Sequence, residues 1–159
     1  MTDHDEGTVT QGTIEANGLT FNYLAAGDDD KPLALCLHGF PDSAWTWRHL
    51  LPSLAAAGYR AVAPWLRGYA PTTVPADGHY QPGMLALDAC ALHEAFGAGD
   101  DAVLIGHDWG ALAAYSAVHH PTVRWRRLVT MAVPPPPTLT SAFFSYDQLQ
   151  KSWYMFFFQ

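Results

Sequence analysis

The sequence predicts an α/β fold, in which a mostly parallel sheet carries helices on both faces. Three observations predict it. Four short apolar runs, at 32–37, 60–63, 102–105 and 127–131, suit strands covered on both sides. Stretches of helical spacing or of small residues lie between them, and strands that alternate with helices pair in parallel through crossovers. The 159 residues, 49% of them hydrophobic, are enough for one domain with its own core.

The elements follow in order. Residues 7–15 (GTVTQGTIE) and 19–25 (LTFNYLA) alternate as half-exposed strands, with Asn17-Gly18 as a hairpin turn. A polar turn at Gly27 and Asp28–Asp30 leads into the first apolar strand, Pro32–Leu37. Asp42 or Ser43 suits the cap of a helix reaching about His49, and Pro52 suits the first turn of the next. Gly58 is placed to end that segment. After strand Arg60–Ala63 comes the Gly- and Pro-rich loop WLRGYAPTTVPADG. Over 82–96, Met84, Leu85, Leu87, Ala91, Leu92 and Phe96 share a helical face. Strand Ala102–Ile105 precedes a small-residue helix, Trp109–Val118, able to lie close to a sheet, and Arg127–Met131 reads as a fourth buried strand. Pro134–Pro137 favours a polyproline II segment. The aromatic-rich remainder reads as a separate helical element, which divides the chain into 1–133 and 134–159.

Composition narrows the function. A formal net charge of −7 argues against nucleic-acid binding, which needs a basic surface. No apolar run is long enough to span a bilayer, and the start, MTDHDEGTVTQG, lacks the features of a signal peptide. Cys36 and Cys90 fit no metal or redox spacing and read as reduced, buried thiols of a cytoplasmic protein. No metal or cofactor is expected; His119 and His120 end a helix without further ligands, and Arg124, Arg126 and Arg127 read as a solvated strand entry.

The chemistry-bearing segment is Val103–Ala111, with Gly106-His107-Asp108-Trp109-Gly110 at its centre. Strand, tight turn between glycines, then helix is the setting of a nucleophile elbow, here with Asp108 where serine is usual. Taken alone, an Asp at such a turn reads more readily as a helix N-cap. His38-Gly39-Phe40-Pro41 follows the first apolar strand, where the fold supplies one oxyanion-hole N–H. Pro41 has no N–H, so Phe40 is the expected donor, paired with Trp109. His107, beside the nucleophile on a turn, reads as part of the elbow's packing.

An aspartate at the elbow constrains the reaction. It is ionised at neutral pH and attacks without a base. Attack on a carbonyl would give a mixed anhydride, whereas attack on a saturated carbon gives an alkyl ester that water can cleave. An epoxide or an alkyl halide is the matching electrophile.

HGFPDSAWTWRHLLPSLAAAGYRAVAPWLRGYAPT followed by GHDWGALAAYSAV resembles the epoxide hydrolase and haloalkane dehalogenase branch of the α/β-hydrolases, across most of residues 13–133. The resemblance implies an α/β-hydrolase core stopping before its later strands, with the start of a helical cap. It implies a cis bond at Phe40-Pro41, a structural role for Arg67-Gly68-Tyr69, and a match between Tyr154 and the first cap tyrosine that protonates an opening epoxide. Tyr154 is equally readable as one more cap aromatic. Phe40 stands where the dehalogenases commonly carry a halide-holding Asn, and Trp109 where fluoroacetate dehalogenases carry Arg. The family's catalytic acid and histidine come late, and none of the eight histidines here matches the latter. The expectation is therefore an epoxide hydrolase-like hydrolase of a small apolar epoxide, inactive as these 159 residues alone. A complementary C-terminal chain or a homodimer is the candidate partner. The alternatives are a haloalkane dehalogenase-like hydrolase and a non-catalytic fragment that pairs with a complementary chain.

Overall fold

The computed structural model describes residues 8–157. The expectations for Met1–Gly7, Phe158 and Gln159 lie outside the described residues. Six strands form one sheet: β1 (Thr10–Ala16), β2 (Leu19–Ala26), β3 (Leu33–Leu37), β4 (Arg60–Pro64), β5 (Val103–His107) and β6 (Arg127–Met131), in the order β1-β2-β4-β3-β5-β6. β1 and β2 form the hairpin, with Asn17 and Gly18 both at positive φ as a type I′ turn needs. β2 pairs antiparallel with β4, and the remaining pairs are parallel.

The buried strands divide their side chains between two cores with a period of two. Leu33, Leu35 and Leu37 of β3, Val62 of β4 and Leu104 of β5 face α2 (Pro82–Ala95) and α3 (Trp109–Ala117). Cys36, Ala61, Ala63, Val103 and Ile105 face Trp47 and Leu51, carried by a 3-10 turn (Ala44–Trp47) and α1 (Leu50–Ala56). Cys36 and Cys90 are free, buried thiols; burial pushes Cys36 far up and Cys90 to about 11.

Four expectations need correction. The segment after Ser43 forms one 3-10 turn, capped by the Ser43 hydroxyl on the Trp45 N–H, before α1 starts afresh at Leu50. On α2 the buried stripe runs through Leu85, Ala86, Asp88, Ala89, Leu92 and His93, while Leu87 is exposed. Asp88 takes an inward position because Arg67 waits there. β6 is half exposed rather than buried, with Val129 45% accessible, since no helix covers its outer face among the described residues. Finally, the proline run does not persist as an extended segment: Pro135 is extended, but Pro136 and Pro137 open α4 (Pro136–Phe143). The first helical positions need no N–H donor and favour the fixed φ of proline. Two further short helices follow, α5 (Tyr146–Lys151) and α6 (Trp153–Phe157).

Sheet order places the site. From β3 the chain moves to β4 on one side, then crosses to β5 on the other. The loops leaving β3 and β5 therefore part at adjacent strand ends, where open α/β sheets form their binding crevice.

Candidate active site

Leu37 of β3 pairs with Gly106 of β5, so the HGFP loop and the elbow leave the sheet side by side. Asp108 sits at φ +54°, ψ −117°, in a backbone region that L-residues seldom occupy. Its own N–H donates to the Met131 carbonyl at 3.2 Å, which ties the turn to the end of β6. The carboxylate does not cap α3; instead Oδ1 accepts the Phe40 N–H at 3.0 Å. Asp108 is thus the N-cap residue of α3 by position, without a cap from its side chain. Trp109 opens α3, where first-turn N–H groups lack helical acceptors.

Glycines make this approach feasible. A Cβ on Gly39 would lie 2.3 Å from the Asp108 Cβ, and one on Gly110 would lie 2.2 Å from the Leu37 carbonyl oxygen. At Gly106 it would meet the Gly110 carbonyl oxygen at 2.4 Å. All three are sites where the backbone itself must come close.

His38 is fully buried and joins three segments. Its Nε2 accepts the Leu66 N–H at 3.1 Å, its Nδ1 lies 2.9 Å from the Gly39 carbonyl oxygen, and Tyr69 packs edge-on against the ring. Burial lowers its pKa, against the pull of the Gly39 carbonyl and Asp42. The Asp42 N–H closes a turn on the same Gly39 carbonyl at 3.1 Å. The Phe40-Pro41 bond is cis, as the resemblance implied. Partial burial works to raise the Asp42 carboxyl, but the Thr46 hydroxyl, the Ser43 N–H and nearby His38 and His107 together hold it below the usual range. Burial and then the charges of Asp108 and Asp42 raise Tyr69.

His107 turns away from the cavity that Asp108 lines, toward Asp42, Thr46 and His49. Two hollows flank the elbow. One, of ≈ 280 Å³, is lined by Asp108, Trp109, Leu112, Leu139, Phe143 and Tyr154. The structure thus brings Tyr154, on α6, to the same cavity as Asp108, with 44% of its surface accessible. The second, ≈ 490 Å³, is lined by Phe40, Trp109, Tyr69, Tyr80 and Val74, so the walls of both are largely apolar. Among the described residues no cluster of His, Cys, Asp and Glu is arranged to hold a metal, and no helix is long and apolar enough to cross a membrane.

Sequence reasoning missed one network. Buried Arg67 meets Asp88 with two bonds, Nε–Oδ2 at 2.7 Å and Nη2–Oδ1 at 2.8 Å, and Asn17 donates to Asp88 at 2.7 Å. Arg67 Nη1 also reaches the His79 carbonyl at 3.1 Å, fastening the loop that carries Tyr80. The Asp88 carboxylate raises the Arg67 pKa further. The signal available was a carboxylate, Asp88, between apolar Leu85 and Leu92 on a helix face. The structural role expected of Arg67 and Tyr69 matches these contacts.

Comparison with known proteins now bears on this geometry. A family model described as alpha/beta hydrolase fold matches residues 32–158. The chain belongs to the α/β-hydrolases. It is 38% identical over 135 residues to an epoxide hydrolase of Caballeronia sordidicola, covering 84% of this chain and 40% of that protein. It is 37% identical to epoxide hydrolase 4 of Homo sapiens, across 100% of this chain and 44% of the relative. The crystal structure of epoxide hydrolase A from Mycobacterium thermoresistibile superposes with a TM-score of 0.74 at 35% identity, covering 84% of this chain and 44% of that one. This α/β-hydrolase chain therefore spans about two fifths of the length of the relatives it matches.

Proposed function

We propose that this chain is the nucleophile-bearing part of an epoxide hydrolase-like enzyme that opens small apolar epoxides through an ester on Asp108. The observation that carries the reading is the placement of an aspartate at a positive-φ elbow, its Oδ1 held by the Phe40 N–H beside an apolar cavity. In the first step Oδ2 attacks an epoxide carbon and the carbon–oxygen bond breaks. The departing alkoxide takes the proton of the Tyr154 hydroxyl. In the second step water attacks the Asp108 carboxyl carbon. Charge then gathers on Oδ1, where the N–H groups of Phe40 and Trp109 receive it. Collapse releases a diol and restores the carboxylate with one oxygen from water; one proton of that water goes to the leaving alkoxide and the other returns to the Tyr154 oxygen.

The second step needs a general base with an orienting carboxylate. None of the described residues is assigned to that role, so residues 1–159 alone are proposed to stop at the ester. In this reading 1–133 is part of the hydrolase core and 134–159 the start of a cap. Phe40 offers no side-chain donor for a halide, which favours epoxides over alkyl halides.

The test is mass spectrometry of the protein quenched during reaction with a reactive epoxide such as styrene oxide. One substrate mass is expected on the peptide containing Asp108. An unmodified Asp108 peptide, with the protein folded, would instead favour a non-catalytic chain.

A further inference from the structure

We propose that His38 is the positioning residue of the oxyanion hole, holding the Gly39 carbonyl so that the Phe40 N–H faces Asp108. The inference rests on the reading of Asp108 as nucleophile.

The carbonyl of Gly39 and the N–H of Phe40 belong to one planar peptide unit, so fixing one end fixes the other. On one side, the carbonyl oxygen is held by His38 Nδ1 at 2.9 Å and by the Asp42 N–H at 3.1 Å. On the other, the N–H reaches Asp108 Oδ1 at 3.0 Å. The two holders differ in kind. The Asp42 bond closes a turn within the loop and moves with it. His38 is anchored outside the loop, because its Nε2 accepts the Leu66 N–H just past the end of β4. The imidazole therefore sets the peptide's direction relative to the sheet.

The tautomer follows from the same contacts. A backbone N–H can only donate, so Nε2 carries no proton and the ring proton sits on Nδ1, where it donates to Gly39. Protonating the ring would place two hydrogens face to face at Leu66 and release the anchor. The groups facing the imidazole are the Tyr69 ring and the Asp42 carboxylate, together with the backbone of Gly39 and Leu66. The device is thus a neutral histidine, used for direction rather than for proton transfer.

Where it acts is specific. Oδ1 becomes the ester carbonyl oxygen, and charge develops on it during hydrolysis. Misdirecting Phe40 should slow the decay of the ester far more than its formation. Loss of one oxyanion donor outright costs about 10²–10³-fold, so an indirect loss is expected at roughly 10–100-fold.

The experiment compares the full-length chain with His38→Ala and His38→Asn by rapid quench with styrene oxide, following the mass of the Asp108 peptide. Ester decay is expected to slow by roughly 10–100-fold in His38→Ala, with formation changed less than about threefold. His38→Asn keeps a donor near the Nδ1 position and should recover part of the loss. A role in folding alone would lower the amount of competent protein and leave both rate constants unchanged. Ester decay at the unaltered rate in His38→Ala overturns the proposal while leaving the nucleophile reading intact. Absence of any adduct in the unaltered chain overturns the nucleophile reading instead. Should neither variant fold, 15N NMR of the unaltered protein decides. A protonated Nδ1 with a bare Nε2 is expected at His38, and the opposite tautomer overturns the proposal.

Discussion

The proposed nucleophile and the tyrosine proposed to assist it lie in one cavity but on differently built ground. Asp108 stands at the end of β5, a strand buried on both faces, in a turn where Gly106 and Gly110, with Gly39 of the facing loop, leave no room for a Cβ. Tyr154 stands on α6, a five-residue helix whose neighbours Trp153 and Phe157 are exposed, near a Phe144 that is 78% accessible. The first region is set by packing against the sheet. The second is held by short helices that touch one another in sequence. The difference teaches that the position of Asp108 is a property of the core, whereas that of Tyr154 depends on short helices outside it.

The comparison can be broken most directly at Asp108. Asp108→Ala should abolish the covalent adduct and lower turnover of the full-length protein by about 10⁴-fold or more, by analogy with nucleophile removal elsewhere. Steady-state kinetics with adduct mapping would check it. Next in size is the frame. Gly110→Ala sets a methyl 2.2 Å from the Leu37 carbonyl oxygen and 2.7 Å from that of His38. It should cost about 3 kcal/mol in urea unfolding, at the top of the range for overpacking. Phe144→Ala, on the exposed side of the comparison, should change stability by no more than about 0.5 kcal/mol. Equal losses in the two variants would erase the distinction.

Tyr154→Phe sharpens the comparison on the catalytic side. Removal of the hydroxyl should slow ester formation by about 10²-fold, the lower end of the range for general acids, and leave ester decay unchanged. Equal rates of formation in both proteins would return Tyr154 to the role of a packing aromatic.

Acid separates the regions more gently. His38 is neutral in the fold and its pKa lies below the ordinary 6.5, so the unfolded chain binds more protons once the pH drops beneath that value. Stability should be unaffected by His38 above about pH 6.5 and should decline as the pH falls below it. Asp42, whose pKa lies below the ordinary 3.8, adds stability above that value and loses it at still lower pH. Urea midpoints between pH 8 and pH 3 would show the two phases, and His38→Asn should lack the first. Another small effect is expected at Ala132, which sits at φ +70° directly after β6. Ala132→Gly relieves that backbone and frees the unfolded chain, so thermal unfolding should shift by no more than about 1 kcal/mol, toward stability.

Much of this was legible in the sequence, and the failures have physical causes. Four apolar runs gave four sheet strands because short β-branched or aliphatic stretches between turns have few other uses. The elbow and the HGFP loop were legible because glycine and proline report backbone demands directly. β6 misled because Arg127–Met131 is as apolar in pattern as Val103–His107, and burial depends on neighbours that a run of residues does not encode. Pro134–Pro137 misled because proline suits both an extended segment and a helix start. Asp88 was hidden because its partner, Arg67, lies 21 residues away, and pairing across that distance leaves no local pattern.

One contact has a consequence for the timing of synthesis. The Asp108 N–H is bonded to the carbonyl of Met131, the last residue of β6. The turn that carries Asp108 is thus completed by a segment made after it. On a ribosome, β3 to α3 can emerge and pack while this amide still faces water. The Asp108 amide finds this acceptor only when Arg127–Met131 has docked beside β5, so a nascent chain carries its proposed nucleophile on an untied turn until the strand that follows has left the tunnel.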